Sequence, residues 1–316
     1  MLGAPSRGPG STTTVRIQVL GSSAGGGCPQ WNCACTNCRG ARDGSVRVEA
    51  RTQECVAVSS DDGKAWFLVN ASPEIRAQIE SCTALHPREV RDSPIAGILL
   101  TNGDLDHTLG LLCLREWQRL VIYATDTVRR GFVENNVLYR TLQRFAGQVS
   151  WRSLPPGEEV DLGTASGLCV EAFPVPGKPP VHLEGLGAPS PADNVALRIR
   201  EPATGRVLVY ASAVARVTPE LLAAADAADC LFFDGTFWSE DELCEVGSDK
   251  RAKDLAHLPI GGESGSLAAL SPLHRPQRIY IHLNNTNPVL REDSPERVAV
   301  ERAGFRIACD GMEIAL

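Results

Sequence analysis

The chain has 316 residues and a formal net charge of −7 at pH 7. This length allows one large domain or two smaller ones, each with a substantial core. Binding a phosphate backbone requires clustered lysine and arginine, so the acidic balance argues against nucleic acid and favours a small-molecule partner. Residues 1–14 are rich in Gly, Pro, Ser and Thr and are predicted to be a disordered leader, with the folded domain at 15–316.

The cysteines and the apolar segments indicate the cellular location of the protein. No stretch approaches the roughly 20 apolar residues that cross a bilayer, and the N-terminus lacks an apolar core of signal-peptide length. Of the eleven cysteines, three are clustered and most others are isolated, which is not the pattern of a disulfide framework. We therefore expect reduced thiols, a cytoplasmic location and no membrane span, and we leave a homodimer open.

The first predicted strand, residues 15–20, runs into a glycine-rich segment at 21–27. The glycine spacing fits neither the dinucleotide fingerprint nor the P-loop. We therefore expect these glycines to bring the backbone close to a metal ion or a substrate, with a phosphate cradle as the weaker alternative.

A cysteine cluster follows. Cys33, Cys35 and Cys38 lie within six residues on a polar segment and can reach one tetrahedral ion. The alternative is three ordinary reduced thiols, but core cysteines are usually scattered. We interpret the cluster as a structural zinc site whose fourth ligand stays open among Cys28, Cys55 and a residue near Asn285.

The next elements alternate between strands and helices. Strands at 54–58 and 66–69 flank a hairpin turn at 61–63, and a helix is predicted from Ser72, as its cap, to Cys82. Further elements are predicted as strands at 95–100, 121–125, 206–210, 230–233 and 278–281, and as helices at 109–117 and 128–145. Short apolar strands that end in Asp or His indicate a layered α/β protein with a site along one sheet edge, and we expect the irregular segment 174–191 to cover it.

The polar residues after these strands are candidate metal ligands. Asp106 and His107 are adjacent after one strand, and Asp234 and His282 each end another. Any one of them taken alone is equally well explained as a helix cap or a turn residue, but the set indicates a metal site. Two imidazoles and a carboxylate suit Fe(II), whereas a set richer in imidazole suits zinc. His257, which lies between the last two segments, could be a general acid or base, another ligand or an exposed residue.

Two sets of motifs resemble known families. Residues 102–110 resemble the metallo-β-lactamase superfamily signature H-x-H-x-D-H-x-x-G, with Asn102 and Asp104 at the leading histidine positions and Asp106, His107 and Gly110 matching. A longer set of motifs, over about 15–316, resembles the pyrroloquinoline quinone (PQQ) biosynthesis protein B family. These motifs are residues 24–27, 29–33, 35, 37–39, 70–73, 234–236 and 282–288.

The resemblance implies a single-domain αββα sandwich with its site at one sheet edge. It implies Asp106, His107 and His282 as ligands of the active-site metal, followed by Asp104 and by Asp234 at the superfamily's bridging position. It also implies that His257 approaches the substrate. Members of the family look like iron-dependent oxygenases that hydroxylate the tyrosine ring of a cross-linked Glu-Tyr precursor, and transport of the cofactor or its precursor to the periplasm is an older suggestion.

Three functions therefore compete: an Fe(II) hydroxylase with a separate structural zinc, a zinc hydrolase of the superfamily type, and a non-catalytic carrier. Asn102 and Asp104 weaken a dinuclear zinc site, so we favour the hydroxylase. A substrate with several carboxylates requires cationic side chains, for which Arg51, Arg76 and Arg115 are candidates. Trp31 could stack on an aromatic ring.

Overall fold

The structure, a computed structural model, describes residues 14–60, 63–134, 136–163, 166–185 and 188–316. These residues form two sheets that pack face to face, with helices on both outer sides. The predicted leader lies outside the described residues except for Thr14, as do Asp61 and Asp62 of the predicted hairpin turn. None of the helices in the described ranges has the length and apolar character needed to cross a membrane.

In the described chain the first sheet has seven strands in the order β14-β1-β2-β3-β4-β5-β6. Their bounds are β1 Arg16–Gly21, β2 Cys55–Ser59, β3 Trp66–Val69, β4 Ile95–Leu99, β5 Leu120–Ala124, β6 Val149–Ser153 and β14 Glu313–Ala315. The second sheet, with seven described strands, has the order β13-β12-β11-β10-β9-β8-β7. Its strands are β7 Glu159–Asp161, β8 Cys169–Pro174, β9 Val195–Glu201, β10 Arg206–Ala211, β11 Cys230–Asp234, β12 Gln277–Ile281 and β13 Phe305–Ile307.

Helices cover the outer face of each sheet. The described α-helices are α1 Thr36–Asp43, α2 Ile75–Ser81, α3 Leu105–Thr108, α4 Gly110–Cys113, α5 Asp126–Glu134, α6 Pro219–Asp226, α7 Ser266–Leu270 and α8 Pro295–Arg302. One core lies between the sheets and includes Phe67 and Phe232. A second core packs α6 to α8 on the second sheet, and a third packs α2, α4 and α5 on the first. The predicted αββα sandwich is confirmed.

In the first sheet, three segments meet at one edge because of strand direction. β3 and β4 are parallel, so Asn70 and Thr101 follow their strands at the same edge. β2 runs antiparallel to β3, so its start lies beside the end of β3, and this start is preceded by Glu54. The edge therefore collects side chains from strand ends and from a strand beginning.

In the second sheet, β10, β11 and β12 are parallel and place their carboxyl ends together. Asp234, the last residue of β11, pairs with Ile281, the last residue of β12. His282 follows directly, with a left-handed φ of 61° that turns the chain out of the strand. Asp234 and His282 are thus brought side by side by strand register.

Most predicted strands are confirmed to within one or two residues, but three helix predictions were wrong in detail. Ser72 is not the cap of α2, because its hydroxyl donates to Gln78 Oε1 and the helix begins at Ile75. The helix predicted at 109–117 ends at Cys113, and Trp117 has a left-handed φ of 54°. The helix predicted at 128–145 is divided, because Asn136 caps a separate 3₁₀ helix at Val137–Gln143.

Gly110 is required for the chain to pass close to the segment after β3. A Cβ atom at this position would lie 2.1 Å from the carbonyl oxygen of Ser72 and 2.8 Å from that of Ala71. We expect Gly110→Ala to lower the free energy of unfolding by about 3 kcal/mol, because the backbone must shift. Urea unfolding measures this change. Leu105→Ala, at a 59% exposed neighbour, should change stability by no more than about 0.5 kcal/mol, and equal effects of the two substitutions would contradict the packing argument.

Candidate metal centre

Asp106, His107 and His282 converge at the edge where both sheets end. One ligand atom from each lies within 4.8 Å of the other two. His282 Nε2 is 3.1 Å from Asp106 Oδ2, and His107 Nε2 is 3.9 Å from the same oxygen. Asp106 and His107 lie in the first turn of α3, while His282 arrives from the facing sheet. The structure thus brings together the three residues that the resemblance placed first.

The hydrogen bonds of His107 leave one ring nitrogen free. Thr101 Oγ1 donates to Asn70 Oδ1 at 3.1 Å, so it is an acceptor for His107 Nδ1 at 3.3 Å. Nε2 then carries the lone pair, and this buried atom has no hydrogen-bond partner. A buried acceptor that faces carboxylates is costly unless a cation lies among them. The donor set therefore fits a metal ion.

His282 is oriented in the same way by the second sheet. Thr236 Oγ1 donates to Asp234 Oδ1 at 2.6 Å and so accepts from His282 Nδ1 at 2.8 Å. In the neutral ring the lone pair of His282 is then on Nε2, which lies 3.1 Å from Asp106 Oδ2. Metal-binding histidines commonly have their second nitrogen fixed by such a partner. Asp234 and Thr236 thus position a ligand.

The charges within this cluster are coupled. Burial opposes charge on Asp106, but the imidazoles of His107 and His282 outweigh it and hold the pKa of this carboxyl well below its usual range. Burial lowers the pKa of His107 to about 4, so its ring is neutral at pH 7. Burial alone would lower the pKa of His282, but its hydrogen bond to Asp106 raises it to about 9. A proton and a metal ion therefore compete for Nε2 of His282.

Asp234 and His257 form a second group with His282. His257 Nδ1 lies 2.6 Å from Asp234 Oδ2, and its ring stacks on that of His282 at 5.4 Å between centroids. Asp234 also accepts hydrogen bonds from the backbone N–H groups of Val214 and Thr236. Both oxygens of Asp234 are thus engaged, which favours an orienting role. Its role as a ligand and the catalytic role of His257 stay predictions.

Residues 102 and 104 stand where the superfamily signature has histidine, and the two differ in their contacts. Asn102 is buried, and its Nδ2 donates to Asn194 Oδ1 at 3.2 Å while its Oδ1 accepts from the backbone N–H of Asp104. Asn194 Nδ2 in turn donates to the carbonyl of Ala213 at 2.6 Å. These amides are therefore occupied within the protein. Burial raises the pKa of Asp104 to about 6, and Asp104 belongs to none of the ligand groups found in the described residues, so its ligation stays a prediction.

Sequence reasoning missed Glu54. Its fully buried carboxylate has Oε2 3.5 Å from His107 Nε2, and Asn70 Nδ2 donates to both of its oxygens at 3.0 and 3.3 Å. Burial raises the pKa of Glu54 to about 7. A charged residue directly before an apolar strand was the available signal. Glu54 is placed to attract a cation toward His107.

We expect Glu54→Gln to weaken Fe(II) binding by about 10- to 100-fold, the range for partners just beyond the ligands. The carboxylate charge is lost, and the new amide can donate to His107 Nε2 and occupy its lone pair. Titration of the metal-free protein with Fe(II) against a competing chelator measures the affinity. Glu158→Gln, at an exposed position, is the control, and an unchanged affinity in the Glu54 variant would contradict this role.

The cysteine cluster is also assembled. The Sγ atoms of Cys33, Cys35 and Cys38 all lie within 4.8 Å of one another. Cys38 lies in α1, and its Sγ accepts from the backbone N–H of Gln30 at 3.3 Å. Three convergent thiols at the start of a helix are the donor set of a structural zinc site. We call residues 33–38 the thiol clip.

Asn285 occupies the fourth side of the thiol clip. Its Nδ2 is 3.2, 3.7 and 3.3 Å from the Sγ atoms of Cys33, Cys35 and Cys38. Rotation of this amide by half a turn would bring Oδ1 to the same place. Cys55 instead donates to the carbonyl of Asn70, and Cys28 is not in the group of described thiols whose Sγ atoms lie within 4.8 Å of one another. The contacts thus favour Asn285 among the three predicted candidates.

The predicted substrate-binding residues are dispersed. Arg51 is buried, with Nη1 donating to the carbonyl of Ala308 and to Ser22 Oγ, and it lines a separate cavity of about 440 Å³ that shares no residue with the metal centre. Arg76 and Arg115 are exposed, and Trp31 is 85% exposed. The contacts of Arg51 favour a structural role, while substrate binding by the others stays a prediction.

The glycine-rich segment and the irregular segment both border the centre. A Cβ atom at Gly25 would lie 3.3 Å from Asp106 Oδ2, so this backbone passes beside a ligand as predicted. A Cβ atom at Gly103 would lie 3.1 Å from Pro180, in the part of 174–191 that the structure describes. Lys178 on the same segment is close enough to favour the charged form of Asp104.

Comparisons with known proteins agree with this fold. The family described as "Beta-lactamase superfamily domain" matches residues 65–283. A diphosphatase of the PhnP family, at 18% identity and a TM-score of 0.64 over 95% of this chain and 97% of its own, shares the fold.

Closer relatives match nearly the whole chain. Coenzyme PQQ synthesis protein B of Ectopseudomonas mendocina (strain ymp) is 42% identical over 96% of this chain and 100% of its own, and that of Nitrosococcus oceani is 41% identical over 95% and 99%. The crystal structure of Zn(2+)-bound PqqB from Methylobacterium extorquens superposes with a TM-score of 0.88 at 42% identity, over 95% of this chain and 100% of its own. The chain therefore belongs to the coenzyme PQQ synthesis protein B family of the beta-lactamase superfamily.

Proposed function

We propose that this protein acts in PQQ synthesis as an Fe(II)-dependent oxygenase that hydroxylates the tyrosine ring of the cross-linked Glu-Tyr precursor. The observation that carries the proposal is the single cluster of Asp106, His107 and His282. Two imidazoles and one carboxylate leave the remaining coordination positions open, which is the arrangement of non-haem Fe(II) oxygenases.

The amide pair of Asn102 and Asn194 supports one active-site metal ion over two. A superfamily hydrolase uses two zinc ions to hold a bridging hydroxide. Here the first histidine position carries an amide whose nitrogen and oxygen are both hydrogen-bonded inside the protein. A second ion bound at residue 102 would have to break these contacts and would gain only neutral amide oxygens from Asn102 and Asn194.

The reaction requires a balanced set of reactants. When bound, Fe(II) supplies the electron-transfer chemistry that activates dioxygen. One ring C–H bond is replaced by a C–O bond, one oxygen atom of O₂ enters the product, and the other leaves as water with two protons. Two electrons come from an external organic reductant of the ascorbate class.

The protein's own residues orient the ligands and hold protons. Thr101 and Thr236 fix His107 and His282 with their lone pairs on Nε2. Asp234 accepts from His257 Nδ1, which leaves His257 Nε2 to exchange a proton with the phenol of the substrate. The side chain of His257 is 14% exposed, so a substrate can reach it.

The names of the relatives support a role in PQQ synthesis. The state of the cysteines supports a cytoplasmic location. The matched proteins are named for coenzyme PQQ synthesis and cover this chain almost completely. All eleven cysteines lie in the described residues and none is in a disulfide, which fits the reducing cytoplasm that we propose as the site of the reaction.

Anaerobic purification, metal analysis and an oxygen-uptake assay with the cross-linked Glu-Tyr compound and ascorbate test the proposal. We expect the iron-loaded protein to consume oxygen and form hydroxylated product in a one-to-one ratio, and the zinc-loaded protein to be inactive. Oxygen-independent cleavage of a phosphodiester with Zn or Mn would instead establish a hydrolase. Tight binding of PQQ without turnover by iron-loaded protein would establish a carrier.

A further inference from the structure

A cavity of about 580 Å³ opens beside the metal centre and has no role in the chemistry derived above. Two of its lining residues lie against residues of the centre. Gly25, on one side, lies next to Asp106, and Phe237, on the other, packs edge-on against His257 with ring centroids 5.8 Å apart. The volume lies within the roughly 300–1,000 Å³ typical of small-molecule sites.

The lining of this cavity indicates what it binds. One wall is apolar and is formed by Phe237, Leu243, Val246 and Leu255. The lining also carries neutral hydrogen-bonding groups, from Gln30, Asn32, Asn284 and Thr286. Among the described residues, the lining contains no Asp, Glu, Lys, Arg or His. Such a site suits an uncharged phenol ring, whereas a phosphate ester would find no cation to neutralise it.

The thiol clip forms part of the same cavity. Cys33, Ala34 and Cys35 form part of its wall. The clip is joined to the metal-bearing strand through the segment after His282, because Asn37 Nδ2 donates to the carbonyl oxygens of Asn285 and Asn287 at 2.9 and 2.8 Å. The position of this wall therefore depends on the clip.

We propose that this cavity binds the phenol ring of the substrate and that the thiol clip is one of its walls. The ring lies between Phe237 and the neutral amides, with its edge toward the metal centre, and the carboxylates of the substrate stay outside. This inference rests on the proposed function for the identity of the substrate. It assigns to the clip a role in substrate affinity that is separate from metal binding at Asp106, His107 and His282.

Binding measurements without oxygen test this assignment. Val246 is 47% exposed and Asn32 is also exposed, so Val246→Trp and Asn32→Trp should fill the cavity without disturbing the core. We expect each to raise the calorimetric Kd for the cross-linked Glu-Tyr compound at least about tenfold, with iron and zinc contents unchanged. Val137→Trp, at a 73% exposed position outside the cavity, is the matched control and should bind normally.

Two small probes separate phenol binding from ester binding. N-acetyltyrosinamide, a neutral phenol, should bind wild-type protein and lose affinity in both cavity variants, whereas phenyl phosphate should bind more weakly than the neutral phenol. Stronger binding of phenyl phosphate, or unchanged Kd values in both cavity variants, would overturn the assignment. Because no turnover is needed, absence of oxygenase activity with the predicted binding pattern would overturn the proposed function and leave the pocket assignment standing.

Discussion

Replacing His282 with Ala should abolish stoichiometric Fe(II) binding while zinc remains in the thiol clip. The substitution removes one of three ligands and leaves only Asp106 and His107, so the loss of iron affinity should exceed the roughly 100-fold that an outer partner costs. Hydroxylation should be lost with the iron. Metal analysis of protein purified anaerobically with excess Fe(II) measures both metals in one sample.

A second variant is needed because the left-handed backbone at His282 is unfavourable for Ala. Its φ is 61°, and Asn tolerates this left-handed conformation better than Ala does. His282→Asn should therefore keep the fold and still lose iron, and His274→Ala, at an exposed histidine, should keep iron at the wild-type level. Retention of one iron per chain in the Asn variant would show that the metal centre lies elsewhere.

Cys38→Ala should release zinc and lower the free energy of unfolding by on the order of 4 kcal/mol, in the range reached when a structural metal is lost. Cys38 is the fully buried member of the thiol clip and lies in α1, so its loss breaks both the ligand set and the attachment of the helix. Zinc content and urea unfolding, measured on the same preparation, test both parts of the expectation.

Cys230→Ala is the matched control because Cys230 is equally buried but isolated in β11. It should keep zinc and lose only about 1 kcal/mol of stability, as an ordinary core substitution does. If both variants kept zinc and were destabilised equally, the three clustered thiols would have no structural metal role.

The convergence of Asp106, His107 and His282 could be predicted from sequence because each one follows an apolar strand. Asp106 and His107 come after β4 of the first sheet, and His282 comes directly after β12 of the second, and residues that follow apolar strands of a layered α/β protein are expected at an edge of its sheets. The order of strands within the two sheets could not be read in the same way. It depends on register over long sequence separations, and short strands such as β7, β13 and β14 carry little periodic signal.

The residues that orient or surround the candidate ligands were harder to predict, because their contacts come from distant parts of the sequence. Glu54 precedes an antiparallel strand, so nothing local to it shows that it lies beside His107. Thr236 was part of a matched motif, but its hydrogen bonds to Asp234 and His282 depend on the pairing of β11 with β12. Asn194 is paired with Asn102 across 92 positions of sequence. Each of these roles is set by tertiary contacts.

The segment just after β12 contributes to both candidate ligand sets, so its synthesis determines when either set can form. His282 completes one ligand set and Asn285 closes the other, and Asn287 anchors both by donating to the carbonyl of Gly235 at 2.8 Å. During synthesis, neither set can be finished until the ribosome has released this stretch. Under the proposed assignment, metal binding at both positions is therefore a late event, and a polypeptide interrupted before residue 282 would lack one candidate ligand of each set, His282 and Asn285.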